Sequence, residues 1–415
     1  MDGKLRGLTV LGLAGAFLLS SCSTNLGPET LPSITTASET EETEVTVETE
    51  VTEETFATEE PEPTSTAVIT ESIVENNGRL KIDGTKIVNS EDETIVLKGI
   101  SSFGIDESSD FFTAEIVKTL AEDWGCDVLR IAVTGDEDSK GYMDNPEAYF
   151  DSVCKICDLC IEQGIYVIVD WDVLYTDDSD DNQDLAVDFF KRLSTIYSES
   201  DNIIYEINNF ALPAEDVDDD DDDDEDEDDF DEWEDGIKPF ASAVIEAVRE
   251  NSPECIFIVG APENGLGVDV ASDSMLDYDN ICYGCRLFSG TNKQEQRDRI
   301  SEALDNDACV FITEWSYCTT DLKGGIFTSE SDVWAAFMDE NDISWCNYAI
   351  GSDNGNDTNA LLMNSTDYTF EQKAAGHWPD GLISRSGLYT REQFLKVPAE
   401  ADDTETGEET DDDDE

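Results

Sequence analysis

Charged side chains stand within or directly after short apolar runs in the middle of this chain. Arg130 lies in DVLRIAV, Asp172 follows GIYVIVDW, Arg286 lies in CYGCRLF, and Glu314 lies in FITEW. A carboxylate in such a place could act as a nucleophile, an acid or a base, and a neighbouring arginine would favour its ionised form. Because these residues are far apart in sequence, the fold has to bring them together.

Three cysteines could suggest a metal or cluster site instead. Cys154, Cys157 and Cys160 in CKICDLC have the three-residue steps of one helix face, but no fourth ligand is near and the only histidine, His377, is remote in sequence. We therefore predict no metal and no cofactor. Six further cysteines lie in or beside apolar runs, where cysteine commonly serves as a small buried hydrophobe rather than as a disulfide partner: Cys126, Cys255, Cys282, Cys285, Cys309 and Cys346.

The apolar runs themselves predict the fold. The segment GRLKIDGTKIVNSEDETIVLKGI alternates apolar and polar residues, which indicates an N-terminal β-hairpin leading into a strand. Fully apolar strands that alternate with helix-length segments predict a closed (β/α)8 TIM barrel, whose active face forms where the strands end. The eight runs are Ile95 to Ile100, Val128 to Val133, Ile165 to Val169, Ile203 to Ile207, Ile256 to Val259, Ile281 to Tyr283, Val310 to Thr313, and Ile343 to Tyr348.

The first 22 residues predict export and a lipid anchor. Lys4 and Arg6 precede an apolar run, as in a secretory signal, and Leu19-Ser20-Ser21-Cys22 resembles a lipobox, in which the cysteine is diacylated. No later segment has the roughly 20 apolar residues of a membrane-spanning helix. We therefore expect an exported lipoprotein at the bacterial cell surface, held in the membrane through Cys22.

The formal net charge of −77 excludes nucleic acid as a partner, because such a field repels phosphates. Three tracts without Lys or Arg supply much of this charge: residues 29–71 hold 13 acidic residues, 215–235 hold 18, and 400–415 hold 11. Their composition predicts a disordered linker over 23–71, an acidic loop insertion over 214–235, and a disordered tail over 399–415. The barrel is then expected over 72–398.

The strings at the strand ends resemble the bacterial cellulase branch of glycoside hydrolase family 5. LKGISS, DVLRIAV, GIYVIVDW, NIIYEINN, FITEW and ISWCNY occur in the family's order and cover nearly the whole predicted barrel. Members of that family are retaining endo-β-1,4-glucanases, in which one Glu attacks the anomeric carbon and a second Glu protonates the leaving oxygen. The resemblance implies that Glu314 is at the nucleophile position, that Arg130 and Asn209 are at site-organising positions, and that Trp171 and Trp315 are aromatic neighbours of the cleft.

Several other family positions are substituted. After Asn209 the family has the acid/base Glu, and this chain has Phe210. Glu206 does not replace the missing acid, because strand alternation points it differently. Phe103, Asp172 and Arg286 stand where the family has histidine, Phe288 replaces a tyrosine, Tyr348 replaces the sugar-stacking Trp of the eighth strand, and Asn264 replaces another cleft Trp.

General acid assistance is typically worth a factor of about 10² to 10⁴, so Phe210 predicts severe impairment. Three hypotheses remain open: a non-catalytic or impaired barrel that contacts a β-glucan or related polysaccharide, a working retaining hydrolase with a displaced acid, and an acidic surface scaffold that binds no carbohydrate. For the second hypothesis, Asp172 and Glu263 are the candidate substitute acids.

Overall fold

The computed structural model describes residues 72–106, 108–135, 141–173, 179–207, 231–322, 324–351, 359–362 and 376–396. The predictions for the signal segment with Cys22, the linker, the acidic tail and most of the acidic insertion lie outside these residues. Asn209 and Phe210 lie outside them as well.

A short helix and a hairpin precede the barrel. Helix α1 (Ile73–Asn77) is capped by Ser72, whose hydroxyl accepts from the Glu75 backbone while the Glu75 side chain accepts from the Ser72 backbone. Strands β1 (Lys81–Asp83) and β2 (Lys86–Val88) pair antiparallel. Gly84 has the positive φ that their tight turn requires. The predicted N-terminal hairpin is confirmed.

Eight parallel strands then close into a barrel in the order β10-β3-β4-β5-β6-β7-β8-β9. The strands are β3 (Lys98–Ser101), β4 (Val128–Gly135), β5 (Tyr166–Val173), β6 (Ile203–Ile207), β7 (Phe257–Gly260), β8 (Ile281–Phe288), β9 (Cys309–Ser316) and β10 (Ser344–Tyr348). Each contains or overlaps one of the eight apolar runs. The predicted (β/α)8 barrel is confirmed.

Helices cover the outside of the barrel, as the alternating pattern predicts. They are α2 (Ala114–Thr119), α3 (Pro146–Gln163), α4 (Ser179–Ile196), α5 (Lys238–Arg249), the single turn α6 (Pro262–Gly265), α7 (Val268–Asp273), α8 (Gln294–Asp305), α9 (Thr328–Glu340) and α10 (Arg385–Leu395). Among the described residues, no helix combines the length and apolar character needed to cross a bilayer.

Inside the barrel, the side chains change from apolar to charged along the strands. The lower interior is a cluster of aliphatic, aromatic and thiol side chains that includes Val128, Ile168 and Ile204. Two residues further along the same strands, and therefore on the same face, lie Arg130, Asp170 and Glu206. The strands thus present polar groups at their carboxyl ends, where barrel enzymes have their sites.

Candidate active site

Arg130 is the centre of the charged layer and has no exposed surface. Its guanidinium donates to both Glu206 carboxylate oxygens at 2.5 and 3.0 Å, to Asp170 Oδ2 at 2.8 Å, to Ser101 Oγ at 2.9 Å and to Glu314 Oε1 at 3.0 Å. Burial alone would lower the pKa of Arg130, but the three carboxylates raise it well above its ordinary value. Arg130 therefore stays charged and fixes the position of Glu314.

A second guanidinium, that of Arg286, lies against Glu314 from the neighbouring strand. Arg286 Nε is 3.5 Å from Glu314 Oε1, and Arg286 Nη2 is 3.7 Å from Asp172 Oδ1. The alkyl part of Arg286 packs on the backbone of Gly265, where an added Cβ would lie 3.1 Å from Arg286 Cγ. The charges of Glu314 and Asp172 outweigh burial and raise the pKa of Arg286. Glu314 is therefore in contact with two cations.

Burial raises the pKa of two carboxyl groups in the buried ion cluster. The cluster consists of Arg130, Asp170, Asp172, Glu206, Arg286 and Glu314, with four carboxyl groups and two guanidiniums. Burial raises the pKa of Asp170 well above its ordinary value, against the opposing charge of Arg130. Burial also raises the pKa of Asp172, where Arg286 opposes the shift and the charge of Glu314 adds to it. Burial therefore disfavours the ionised form of both aspartic acids, which reduces the excess of negative charge in the cluster.

Three aromatic rings stand beside the ion cluster, and we call them the aromatic wall: Phe103, Phe288 and Tyr348. The ring centroids of Phe103 and Tyr348 are 5.6 Å apart, and those of Phe288 and Tyr348 are 6.4 Å apart. All three side chains are partly exposed. Burial and the charge of Glu314 raise the pKa of Tyr348 well above its ordinary value, so its phenol is neutral. The wall therefore places apolar ring faces beside the Glu314 carboxylate.

The two tryptophans predicted for the cleft lie elsewhere, and that prediction is wrong. Trp171 packs between the barrel and its helices, 5.2 Å from the Phe189 ring, and its Nε1 donates to Asn182 Oδ1. Trp315 likewise packs outward, and its Nε1 donates to Ser289 Oγ. Neither indole has any exposed surface. Strand alternation is the reason, because Asp172 and Glu314 point inward and their sequence neighbours must point outward.

Of the two candidate substitute acids, Glu263 is already engaged. Its carboxylate oxygens accept from Arg299 at 2.8 and 3.2 Å, and about half of its side chain is exposed. Glu263 and Asn264 both have φ of 57°, and Asn264 is exposed. Asp172, in contrast, lies in the ion cluster within 4 Å of the same arginine as Glu314.

Two residues of the site were missed by sequence reasoning. Ser101 and Asp170 both bind Arg130 and are fully buried. The signal for Asp170 was available, because an acid two residues before Asp172 on an otherwise apolar strand must share its inward face. Glu206, which was judged unable to replace the acid, is held by Arg130 inside the barrel.

The cysteines on α3 show no sign of a metal site. Cys157 and Cys160 are buried in the outer core, and Cys154 packs at its edge. In the part of the chain that the structure describes, no cluster of His, Cys, Asp and Glu could hold a metal ion, and all ten cysteines there are free thiols. Cys282 and Cys309 face each other on adjacent strands inside the barrel.

Comparison with known proteins decides the family. The sequence profile of the cellulase family, described as glycosyl hydrolase family 5, matches residues 88–354. The chain belongs to glycoside hydrolase family 5. Among curated relatives of this family 5 protein, an endoglucanase from Clostridium saccharobutylicum is 31% identical over 331 residues, covering 80% of this chain and 68% of that protein. Endoglucanase A from Evansella cellulosilytica is 32% identical over 330 residues, covering 80% of this chain and 62% of that protein. The family 5 chain thus spans about two thirds of the length of these relatives.

Solved structures agree on the fold of this family 5 protein. A protein from Cytophaga hutchinsonii superposes with a TM-score of 0.67 at 28% identity, covering 78% of this chain and 96% of the other. The catalytic domain of Thermobifida fusca endoglucanase Cel5A also superposes with a TM-score of 0.67, at 24% identity, covering 79% of this chain and 100% of the other. At this identity the similarity to the Cel5A domain shows the fold alone.

Proposed function

We propose that this family 5 protein is a lipid-anchored cell-surface barrel that contacts a β-glucan or related polysaccharide and is strongly impaired in its hydrolysis. The observation that carries the proposal is the state of Glu314, the carboxylate at the family's nucleophile position. Its Oε1 contacts Arg130 at 3.0 Å and Arg286 at 3.5 Å. Only 6% of Glu314 is exposed.

These contacts oppose nucleophilic attack. A carboxylate bound by two guanidiniums is stabilised as a free anion, and that stabilisation is reduced when the carboxylate bonds to a sugar carbon, so it favours the ground state over the transition state. The absence of a carboxylic acid at Phe210 adds a loss of about 10² to 10⁴ for leaving groups that need protonation. Either effect alone would slow cleavage of an unactivated polysaccharide, and here they act together.

Two features support contact with a glycan. The aromatic wall is partly exposed beside the ion cluster, and aromatic faces are apolar surfaces on which sugar rings pack. The curated relatives are named endoglucanases. The formal charge of −77 disfavours anionic polymers through long-range repulsion, so we propose a neutral glycan.

The cellular location of the protein is part of the proposal, and it is inferred from sequence alone. Cys22 ends a lipobox-like string, and an acidic Thr- and Glu-rich segment of about 50 residues separates it from the barrel. A diacylated Cys22 would hold the protein in the membrane, with the barrel displayed at some distance from it.

The test is to run the purified protein through polysaccharide gels and, separately, to assay it on soluble β-glucan. We expect retardation by a β-glucan gel and hydrolysis reduced by several orders of magnitude relative to a family 5 endoglucanase. Tyr348→Ala should lose the retardation. Tyr278→Ala, which removes a tyrosine just before β8 at the other end of the barrel, is the matched control and should retain it. Vigorous hydrolysis of unactivated β-glucan would support the working hydrolase instead, and no retardation on glucan, mannan or xylan would support the scaffold.

A second variant addresses the acid position. Phe210→Glu restores a carboxylic acid after Asn209, where the family carries one. Some hydrolysis should return if the remaining site still accepts a sugar. Continued inactivity of a folded Phe210→Glu protein that still binds glycan would show that contacts to Glu314 are the dominant obstacle.

A further inference from the structure

Asp172 and Glu314 face each other across the mouth of the barrel. Asp172 is on β5 and Glu314 is on β9, and these strands are four apart in a closed barrel of eight. Both side chains point inward at the carboxyl ends of their strands. Trp171 is in register with Ile207 on the neighbouring β6, so Asp172 lies one strand away from the chain that leads to Phe210. Asp172 is therefore on the strand next to β6, the strand after which the sequence resemblance places the family's acid.

One oxygen of Asp172 has an ion-pair contact but no hydrogen bond within the described ranges. Asp172 Oδ1 is buried and has no hydrogen-bond partner among the described residues, and its nearest cationic atom is Arg286 Nη2 at 3.7 Å. The side chain as a whole is 16% exposed. Burial raises the pKa of Asp172, as a carboxyl group requires if it is to hold a proton near neutral pH.

Arg286 also brings the two carboxyl groups together. Asp172 Oδ1 and Glu314 Oε1 both lie within 4 Å of its guanidinium. The two groups therefore share one part of the barrel mouth, as the paired carboxyl groups of a glycosidase must. Glu263, the other acidic candidate, is held by Arg299 and has no such relation to Glu314.

We propose that Asp172 is the proton donor and acceptor for the slow glycoside cleavage that this barrel retains. The inference rests on the proposed function, with Glu314 as the attacking group. In the first step the Glu314 carboxylate bonds to the anomeric carbon, the bond from that carbon to the leaving oxygen breaks, and the Asp172 proton passes to that oxygen. In the second step water attacks the same carbon, Asp172 recovers the proton of the water, and Glu314 is released.

Arg286 explains why this arrangement is slow. The same guanidinium contacts both carboxyl groups, so it opposes the proton on Asp172 and stabilises the anion of Glu314. The acid is also displaced by one strand from the family's position, so protonation of the leaving oxygen is less well aligned. We therefore expect turnover that is slow but still depends on proton donation by Asp172.

Substrates that differ only in their need for acid test the proposal. 2,4-Dinitrophenyl β-cellobioside has a leaving group that departs unprotonated, whereas cellopentaose needs a proton. We expect Asp172→Asn to reduce cellopentaose turnover by about 10² to 10⁴ and the first, glycosylating step on the dinitrophenyl substrate by less than tenfold. Added azide should accelerate the variant on the dinitrophenyl substrate and yield a β-glycosyl azide, because azide needs no base to attack the glycosyl-Glu314 intermediate.

The controls separate a chemical role from a structural one. Glu263→Gln removes an acid on the neighbouring loop and should leave both activities unchanged, while Glu314→Gln should abolish both. Equal loss on both substrates in Asp172→Asn, or no azide product, would overturn the proposal. So would a wild-type protein that turns over neither substrate. Retardation by β-glucan reports the proposed function separately, since a protein that binds glycan without any turnover fails only the Asp172 assignment.

Discussion

Replacement of Arg286 by methionine tests the ion cluster most directly, because it removes one cation and keeps most of the side-chain volume. Arg286 contacts Glu314 at 3.5 Å and Asp172 at 3.7 Å. Two unit charges about 4 Å apart at an effective dielectric of about 20 interact by about 4 kcal/mol. Burial raises the pKa of Asp172 and so disfavours its ionised form, and Glu314 keeps Arg130 at 3.0 Å. We therefore expect Arg286→Met to lower the free energy of unfolding by about 3 kcal/mol near pH 8, at the lower end of values for breaking a buried pair.

The loss should depend on pH. Arg286 opposes the upward shift of the Asp172 pKa, so its removal raises that pKa further. An acid whose pKa is higher in the folded state than in the unfolded state stabilises the protein below its unfolded pKa, and that stability is lost as the pH rises through the folded pKa. In Arg286→Met the folded-state pKa of Asp172 is higher, so the loss of stability continues to a higher pH than in the wild type. The difference between wild type and Arg286→Met should therefore be smaller at pH 5 than at pH 8.

Urea unfolding followed by tryptophan fluorescence at both pH values measures the effect. The double variant Arg286→Met/Asp172→Asn should remove most of the pH-dependent part, because the titrating group is gone. Arg299→Met is the matched control. It breaks partly exposed ion pairs with Glu263 and Asp269, which should cost about 1 kcal/mol or less. An Arg286→Met protein as stable as wild type at pH 8, or a loss that Asp172→Asn does not alter, would refute the reasoning.

Three further outcomes are expected. Burial raises the pKa of Asp127 to about 7, so its contribution to stability, complete below about pH 4, is lost as the pH rises through 7, and Asp127→Asn should gain in free energy of unfolding relative to wild type between pH 4.5 and pH 8. Trp171→Phe should lower the free energy of unfolding by about 1 to 3 kcal/mol and leave glycan retardation unchanged. Tyr348→Ala should instead lose glycan retardation and keep a nearly unchanged free energy of unfolding. Thermal unfolding and gel assays of both variants measure these effects. Burial raises the pKa of the Cys255 and Cys285 thiols to about 12, so a maleimide should label them far more slowly in native protein than in urea at pH 8, and equal rates would contradict their burial.

The barrel could be predicted from sequence because each strand carries its own signal. Runs such as those beginning at Val128, Ile165 and Ile203 are mainly apolar on both faces, as in the strands of a covered parallel sheet, and each was found at its predicted place. The hairpin was equally local, since Gly84 and the flanking alternation define its turn. Local patterns of this kind do not depend on distant residues.

The site was only partly predictable, because its contacts join distant segments. Resemblance placed Glu314 and Arg130 at the site, but the contact of Arg286 with both Glu314 and Asp172 depends on the closure of the barrel. The inward direction of Asp170 follows from alternation and could have been read from the sequence. The same rule places Trp171 outside, where resemblance to a cleft motif had suggested otherwise.

The substitutions at Asp172 and Arg286 are best understood as one coupled change. The sequence resemblance implies a histidine at both positions in the family, and here the carboxylate and guanidinium atoms are 3.7 Å apart. An arginine alone would add an uncompensated cation to a buried layer, and an aspartate alone would add a further anion beside Glu314. Together they partly offset each other, because Arg286 opposes the burial that raises the pKa of Asp172. Each residue therefore lowers the cost of burying the other, and Arg286 at the same time places a second cation against Glu314.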